Sequence, residues 1–416
     1  NSLLDKNLPD PRNAASGSLR QKLSSETKKI PLKFVAYTFG FIEKNYFKKQ
    51  SEFLDSLKRW GFKINKHNRV ISNIDELIKN HENFEKKRYE LEYDVDGLVY
   101  KINDLKLQDR LGFVGNAPRW AAAHKFSAAS SFSKILKIEI QIGRTGALTP
   151  VAKVEPVNIG GVVVSNATLH NEDEIKKKDI RVGDVVKIER AGDVIPHVIS
   201  VDLNKRSLKS TKFKFPNKCP SCNSSVEKEY NKQTKKYDAV IRCSSEGYTC
   251  EKIAIEKIKH FVSKDALNID GLGKKVVEKF WEKKYIRFPQ DIFKLNYEII
   301  QNLDGWGPQS VSNLKFSIDK SRNISLQKFI YSLGIRHIGQ ENAKLIAKHL
   351  QKKENFLNID KQYEFNSFVS IDGIGEIQIS SIRKFFSLNE NLKVIKELSK
   401  HLNIENEIIN NSGKFK

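Results

Sequence analysis

The chain has 416 residues, 39% hydrophobic and 30% charged, with 73 Lys+Arg against 50 Asp+Glu for a net charge of +23. That length exceeds what one hydrophobic core serves, so several domains are expected, and no apolar run is long enough to span a bilayer, which argues against a membrane partner. The cations are spread along the chain rather than gathered in a tail, which points to a polyanionic partner such as nucleic acid, a lysine-rich genome being the plainer explanation.

Taken in chain order, Asp10-Pro11 has the form of a helix N-cap followed by Pro at the first helical position. On such a helix residues 12, 16 and 20 fall near one face, so Arg12 and Arg20 could share an anion. The next informative stretch is YDVDGLVYK at 93–101, an Asp-Gly turn leading into an apolar run. If that run is a strand, Leu98, Tyr100 and Ile102 share one face, and Val99 and Lys101 the other. The pattern puts Lys101 on an inward face, where a lysine needs an anion.

Residues 133–210 read as short strands broken by glycine turns at Gly143, Gly160–Gly161, Gly183 and Gly192. This is the pattern of a small closed barrel, most simply an OB-fold. Arg144, Lys187 and Arg190 sit at or beside those turns, as phosphate contacts or as ordinary solvated charges.

Cys219, Cys222, Cys243 and Cys250 are the only cysteines, spaced C-x2-C, twenty residues, then C-x6-C. Two such pairs supply the closed tetrahedral thiolate set of a structural Zn2+. Two disulfides would use the same residues, but a reducing compartment disfavours them. Metal binding there would supply on the order of 10 kcal/mol of local folding free energy.

Beyond the cysteines the pattern becomes helical and repeats. The stretches are IDGLGKK (269–275), LDGWGPQS (303–310), GIRHIGQENA (334–343) and IDGIGEIQIS (371–380). Their last glycines, Gly273, Gly307, Gly339 and Gly375, are 34, 32 and 36 residues apart. A short turn of this kind between helices presents backbone N–H groups to an anion, and Lys274, Lys275 and Lys344 follow two of the turns. Plain helix–turn–helix packing with glycine at C′ is the alternative for any one copy. Four copies at near-constant spacing resemble helix-hairpin-helix motifs, which grip duplex phosphates without reading sequence.

Together these motifs resemble the bacterial NAD-dependent DNA ligases. The likeness runs through PRNAASGSLRQ (11–21), DGLVYKIN (96–103), APRWAAAHKF (117–126), GRTGALTPVA (143–152), VSNATLHN (164–171), AGDVIP (191–196), the four cysteines and the four hairpins. It implies a multidomain α+β chain: the C-terminal part of a nucleotidyltransferase (adenylation) domain over 1–129, an OB-fold over 130–212, a four-cysteine zinc finger over 213–253, a helix-hairpin-helix domain over 254–400, and a linker to a BRCT domain over 401–416. It further implies that Lys101 and Lys125 line the adenylate pocket, that Asp96 and Arg88 support adenylation, and that Arg12 and Arg20 meet the nick phosphate. Arg144, Arg190, Gly273, Gly307, Gly339 and Gly375 would contact duplex DNA. The implied cofactors are NAD, Mg2+ or Mn2+, and structural Zn2+; the implied partner is nicked double-stranded DNA, met by a monomer. With no signal peptide, the expected location is cytoplasmic.

The chain also departs from that family's pattern. The nucleophile motif Lys-x-Asp-Gly does not occur, and its nearest match is Asp94-Val95-Asp96-Gly97. The interval between the two cysteine pairs is longer than the family pattern. The chain contains no methionine, starts at Asn1 and ends in NNSGKFK. The expectation is therefore a ligase portion truncated at both ends and unable to self-adenylate. A non-catalytic nick- or duplex-binding protein derived from such a ligase is the alternative. A repair nuclease or helicase would leave DGLVYK and HKF unexplained.

Overall fold

The computed structural model describes residues 11–21, 23–40, 46–91, 95–115, 117–160, 162–190, 195–231, 234–359 and 365–407. The expectations for Asp10, Asp94, Gly161, Gly192 and the tail 410–416 lie outside these residues, as does the side chain of Arg12. The chain divides into two compact units, residues 1–135, 154–167 and 184–206, and residues 136–153, 168–183 and 207–416.

In the first unit, helix Gln50–Arg59 buries Phe53 and Leu57 against Ala36. Phe39 and Phe47 close this small core edge-on, their ring centroids 4.9 and 5.4 Å from that of Phe53. Helix Ile74–Lys87 starts where the Asn73 side chain accepts from the Glu76 N–H at 2.8 Å, an N-cap that satisfies one orphan donor. Four short strands follow: β1 (Gly97–Lys101), β2 (Phe113–Val114), β3 (Ala117–Pro118) and β4 (Ala121–Lys125). β1 pairs antiparallel with β4, and β2 with β3.

The expected OB-fold is present. Strands β5 (Ala129–Ile142), β6 (Leu148–Ile159), β7 (Val162–Thr168), β8 (Val185–Arg190) and β9 (His197–Val201) close a barrel in the order β5-β6-β7-β9-β8. Period-two alternation decides its interior: Val186 and Ile188 on β8 are fully buried, as are Ile135 on β5 and Val198 on β9. The buried carboxylate of Asp184 is satisfied by a two-point pair with Arg206, at 2.9 and 2.8 Å.

The second unit begins with a ribbon, β10 (Val226–Asn231) paired antiparallel with β11 (Lys236–Cys243). The rest is helical, with Glu251–Phe261, Lys274–Glu282, Pro308–Ser321, Gln340–Leu350, Glu376–Phe386 and Asn389–His401 packed round one large core that contains Phe261, Phe280, Phe329 and Phe356. A parallel pair, β12 (Asn323–Ser325) with β13 (Asn403–Glu405), ties the last segment to the middle of the unit. Residues from 401 onward, expected to begin a linker, thus place Leu402 and Ile404 in the core. The cause is their apolar character: both side chains are removed from water by the strand pair.

One half-buried cation in this unit costs stability. Lys257 donates from Nζ to the Gly247 carbonyl at 2.6 Å and lies 4.6 Å from the Tyr248 ring centroid. Burial pushes its ammonium down to about 8, with Glu390 opposing and Arg144 adding to the fall. An unfolded chain keeps that proton up to about 10.4, so between roughly pH 8 and 10 the unfolded state binds more protons and this group's contribution to stability rises with pH. Unfolding measured for the protein and for Lys257→Met should therefore show the protein gaining on the variant from pH 7.5 to 9.5. A constant difference across that range would contradict the burial cost.

Candidate functional site

The β1–β4 ribbon sets the first site. Gly97 lies opposite Lys125, Val99 opposite Ala123 and Lys101 opposite Ala121. Opposed residues share a face, so Lys101 and Lys125 stand on the same one, about 13 Å apart along the ribbon at ~3.3 Å per residue. The residues between them are small or apolar: Gly97, Val99, Ala121 and Ala123. Gly97 permits this pairing, because a Cβ there would lie 2.5 Å from the His124 carbonyl oxygen and 2.7 Å from the Lys125 Cα. The Asp-Gly pair therefore marks a close approach of two backbones.

Which face is packed differs from the expectation. On the Tyr100 side the His124 ring stacks on that of His81 at 3.6 Å, and His81 is buried on helix Ile74–Lys87. The Lys101 side is the open one, with Val99 61% exposed. Alternation gave the parity of the residues correctly; the helix that covers the Tyr100 side settles which face is inside. Lys101 itself is half-buried, its Nζ 5.1 Å from the Tyr37 ring centroid, and burial holds its ammonium below the usual lysine range. Lys125 is exposed. Among the described residues neither lysine has a carboxylate partner.

Helix Ile74–Lys87 and the turn after it hold the backbone around Lys125. His81 Nε2 is 3.2 Å from the Lys125 carbonyl oxygen, Glu85 accepts from the Ser127 N–H at 2.6 Å, and Arg88 donates to the Ser127 carbonyl at 3.2 Å. Asp96 is exposed just before β1, and its carbonyl accepts from the Phe126 N–H at 2.8 Å. His81 and Glu85 carried no signal in the sequence. The helix expected to carry Arg12 and Arg20 spans Pro11–Leu19, so Arg20 lies one residue past it, exposed in a turn. On β8, Lys187 alternates away from the buried Val186 and Ile188, whereas Arg190 shares their side at the strand's end.

In the second unit the four cysteines converge. The Cys219 and Cys250 sulfurs are 4.0 Å apart, those of Cys222 and Cys243 3.4 Å, and all four lie within 4.8 Å of one another. A tetrahedron of ~2.3 Å Zn–S bonds has sulfurs about 3.8 Å apart, so the residues fit a Zn2+ with no position left for substrate. Against the upward push of burial, hydrogen bonds from Ser224, Cys243 and Cys219 hold the Cys222 thiol down to about 6, towards the thiolate that a metal takes. The turn Gly143–Gly146 docks on the third ligand: the Cys243 N–H donates to the Gly146 carbonyl at 2.9 Å, and a Cβ at Gly146 (φ +76°) would lie 3.1 Å from the Cys243 carbonyl oxygen. Arg144, expected beside a turn as a phosphate contact or a solvated charge, is half-buried beside Gly334 and His260, its Nη1 buried and, among the described residues, without a hydrogen-bond partner. Burial lowers its pKa.

The four hairpins share one geometry. Gly273, Gly307, Gly339 and Gly375 are each the N-cap of the following helix, with ordinary φ of −64°, −142°, −83° and −100°. At the first three a Cβ would meet nothing within 4 Å. These glycines leave open space over a helix start, where backbone N–H groups point outward. The positive φ falls two residues earlier, at Gly271 (+94°), Gly305 (+82°) and Gly373 (+90°), and in the third copy at His337 (+62°). The G-x-G spacing in three copies was the available signal for this. Exposed Lys274 and Lys275 flank the first turn, while Asp372 and Glu376 flank the fourth.

Comparison with known proteins finds three family matches along the chain. Residues 3–129 match the NAD-dependent DNA ligase adenylation domain, 132–210 the NAD-dependent DNA ligase OB-fold domain, and 328–395 a helix-hairpin-helix motif. A DNA ligase of Pelagibacter ubique (strain HTCC1062) is 65% identical over 408 residues, covering 98% of this chain and 60% of that protein. DNA ligases of Rickettsia canadensis (strain McKiel) and Rickettsia bellii (strain OSU 85-389) are 45% and 46% identical, each over 95% of this chain and 58% of their own length. The chain thus spans about three-fifths of the length of the curated relatives it matches.

Metal analysis of the purified protein should find one Zn2+ per chain. The double variant Cys219→Ser/Cys243→Ser should lose it, and protease cleavage should then appear between residues 213 and 250. Full zinc content in that variant would remove the tetrahedral assignment.

Proposed function

Because the chain belongs to the NAD-dependent DNA ligase family, we propose that it takes part in sealing nicks in duplex DNA, joining a 5′-phosphate to a 3′-hydroxyl during replication and repair. It would act as a monomer in the cytoplasm. The observation that carries this reading is the open face of the β1–β4 ribbon, where Lys101 and Lys125 stand over a floor of small residues with, among the described residues, no carboxylate paired to either. A half-buried cation without a counter-charge favours an anion, and the phosphate of an adenylate supplies one.

Lys101 and Lys125 would hold the adenylate phosphate, with the Tyr37 ring beside Lys101 limiting water on that side. Asp96 and Arg88 act through the backbone they fix around residues 126–127. In the joining step the 3′-hydroxyl oxygen bonds to the 5′-phosphorus as the bond from that phosphorus to AMP breaks, AMP leaves with the electron pair and the hydroxyl proton passes to solvent. Chemistry of this kind depends on positioned cations more than on acid or base. A divalent ion, Mg2+ or Mn2+, would supply further charge on the phosphates, held by them and at most one or two carboxylates. The zinc is structural.

Residues 1–416 contain no Lys-x-Asp-Gly, so the attacking amine that takes AMP from NAD is not among them. On its own this segment should give no covalent AMP adduct by mass spectrometry after incubation with NAD. It should join a synthetic pre-adenylated nick slowly, and Lys101→Ala should lower that rate by tenfold or more. An adduct formed with NAD, or joining that Lys101→Ala leaves intact, would overturn this assignment. A second reading, a nick- or duplex-binding protein without chemistry, predicts binding and no joining at all.

Duplex binding should be sequence-tolerant and steeply salt-dependent, log K falling by about 0.9 per phosphate contacted. Deleting residues 255–407 should flatten that slope. Affinity that follows base sequence at fixed salt would argue against a backbone grip.

A further inference from the structure

The third hairpin is the odd one. Its turn has His337 in the left-handed region at φ +62°, where the other three have glycine. A non-glycine residue there costs roughly 1–2 kcal/mol, and within the hairpin the Asn342 side chain steadies the turn by donating to the His337 carbonyl at 2.9 Å. Its neighbour Arg336 is the residue best placed by type to meet a phosphate, yet it does not face open solvent. It pairs with Glu229 on β10 and reaches Asp238 on β11 at 3.9 Å. Asp238 in turn takes Arg242 at 3.1 Å, and Arg242 donates to the Thr145 hydroxyl at 3.1 Å. Burial of both carboxylates is outweighed, at Glu229 by the Arg336 guanidinium and at Asp238 by the Val240 N–H together with Arg242 and Arg336, so both stay below the usual carboxylate range.

We infer that Glu229 and Asp238 are positioning residues for DNA binding: through Arg336 they lock the left-handed turn at His337, so that the helix starting at Gln340 presents its N-terminal amides to a phosphate. Arg336 then serves as a strut within the protein and makes no phosphate contact of its own. The zinc ribbon becomes the support of the third hairpin, since Asp238 and Arg242 lie on the strand that ends in Cys243. This inference rests on the duplex-binding reading proposed above.

The sign of the effect separates this role from plain electrostatics. Glu229→Gln/Asp238→Asn removes two negative charges, and charge alone predicts tighter binding to DNA. A positioning role predicts weaker binding, by about tenfold, at every salt concentration. The slope of log K against log salt should stay unchanged, because no phosphate contact made by a cation is lost. Arg336→Ala should behave in the same way, whereas a direct phosphate contact would flatten the slope by about 0.9. Affinity should be measured by fluorescence anisotropy on a nicked duplex, with zinc content checked in each variant. Amide hydrogen exchange at residues 336–342 should also quicken in the double variant, whether or not DNA is added. Unchanged or tighter binding with unchanged exchange would overturn the inference while leaving the duplex-binding reading intact. Absence of duplex binding by the unaltered protein would overturn that reading, and this inference with it.

Discussion

Four thiol sulfurs within 4.8 Å of one another set the order of the second unit. The four ligands come from three different pieces of structure. Cys219 and Cys222 form a knuckle with Asn223 in the left-handed region, Cys243 ends strand β11, and Cys250 is the residue before helix Glu251–Phe261. That helix joins two cores. Its Ile253 packs with the cysteines, and its Ala254, Ile255, Ile258 and Phe261 pack with the hairpin helices. Crowded thiolates repel unless a cation lies between them, so the free energy of metal binding and the folding of this junction are one quantity. Drawing Cys250 to the cluster fixes where the helix begins, and hence which of its residues face the large core.

Much of this architecture was legible because it rests on spacing. Cysteine intervals, glycine recurrence and strand alternation are local patterns, and each became the element it indicated. What was not legible depends on residues far apart in sequence. Glu229 and Arg336 are 107 residues apart, and nothing near either one announces the other. His81 and Glu85 read as ordinary polar positions of an amphipathic helix until β4 lies beside them. Arg144 is the sharpest case. A glycine-flanked arginine looks like a surface charge, but Gly334 supplies the missing side chain's space for its guanidinium: a Cβ there would lie 2.6 Å from Nη1.

The lysine ribbon shows the limit of a periodicity argument. Period two separates residues into two sets but does not say which set is inside. Val99 and Lys101 were grouped correctly and turned the wrong way, since the Tyr100 side packs against His81 through the His124 ring. The functional consequence is unaffected by the reversal. A face closed on itself would force Lys101 to find its counter-charge within the protein. An open face with a half-buried ammonium leaves the counter-charge to a ligand.

The hairpins, alike in backbone, are not alike in charge, and this bears on how a polyanion is held. The first turn carries Lys274 and Lys275 in front of an unobstructed helix start, with Lys264 exposed nearby. The second offers Gln309 and a serine whose hydroxyl already bonds the Gly307 N–H at 2.8 Å. The third has its arginine engaged by Glu229 and Asp238, with Lys344 exposed on the following helix. The fourth is acidic, with Glu376 in the first helical turn and 3.6 Å from Arg383. Helix-end partial charges favour an anion by about 0.3–1 kcal/mol at an exposed site, comparable to what one nearby carboxylate takes away. The four copies therefore cannot contribute equally. The first unites side-chain and backbone charge, the second and third offer chiefly backbone amides, and in the fourth the Glu376 carboxylate offsets the positive end of its own helix. The repeat is thus kept in geometry while its charge changes from the first copy to the fourth.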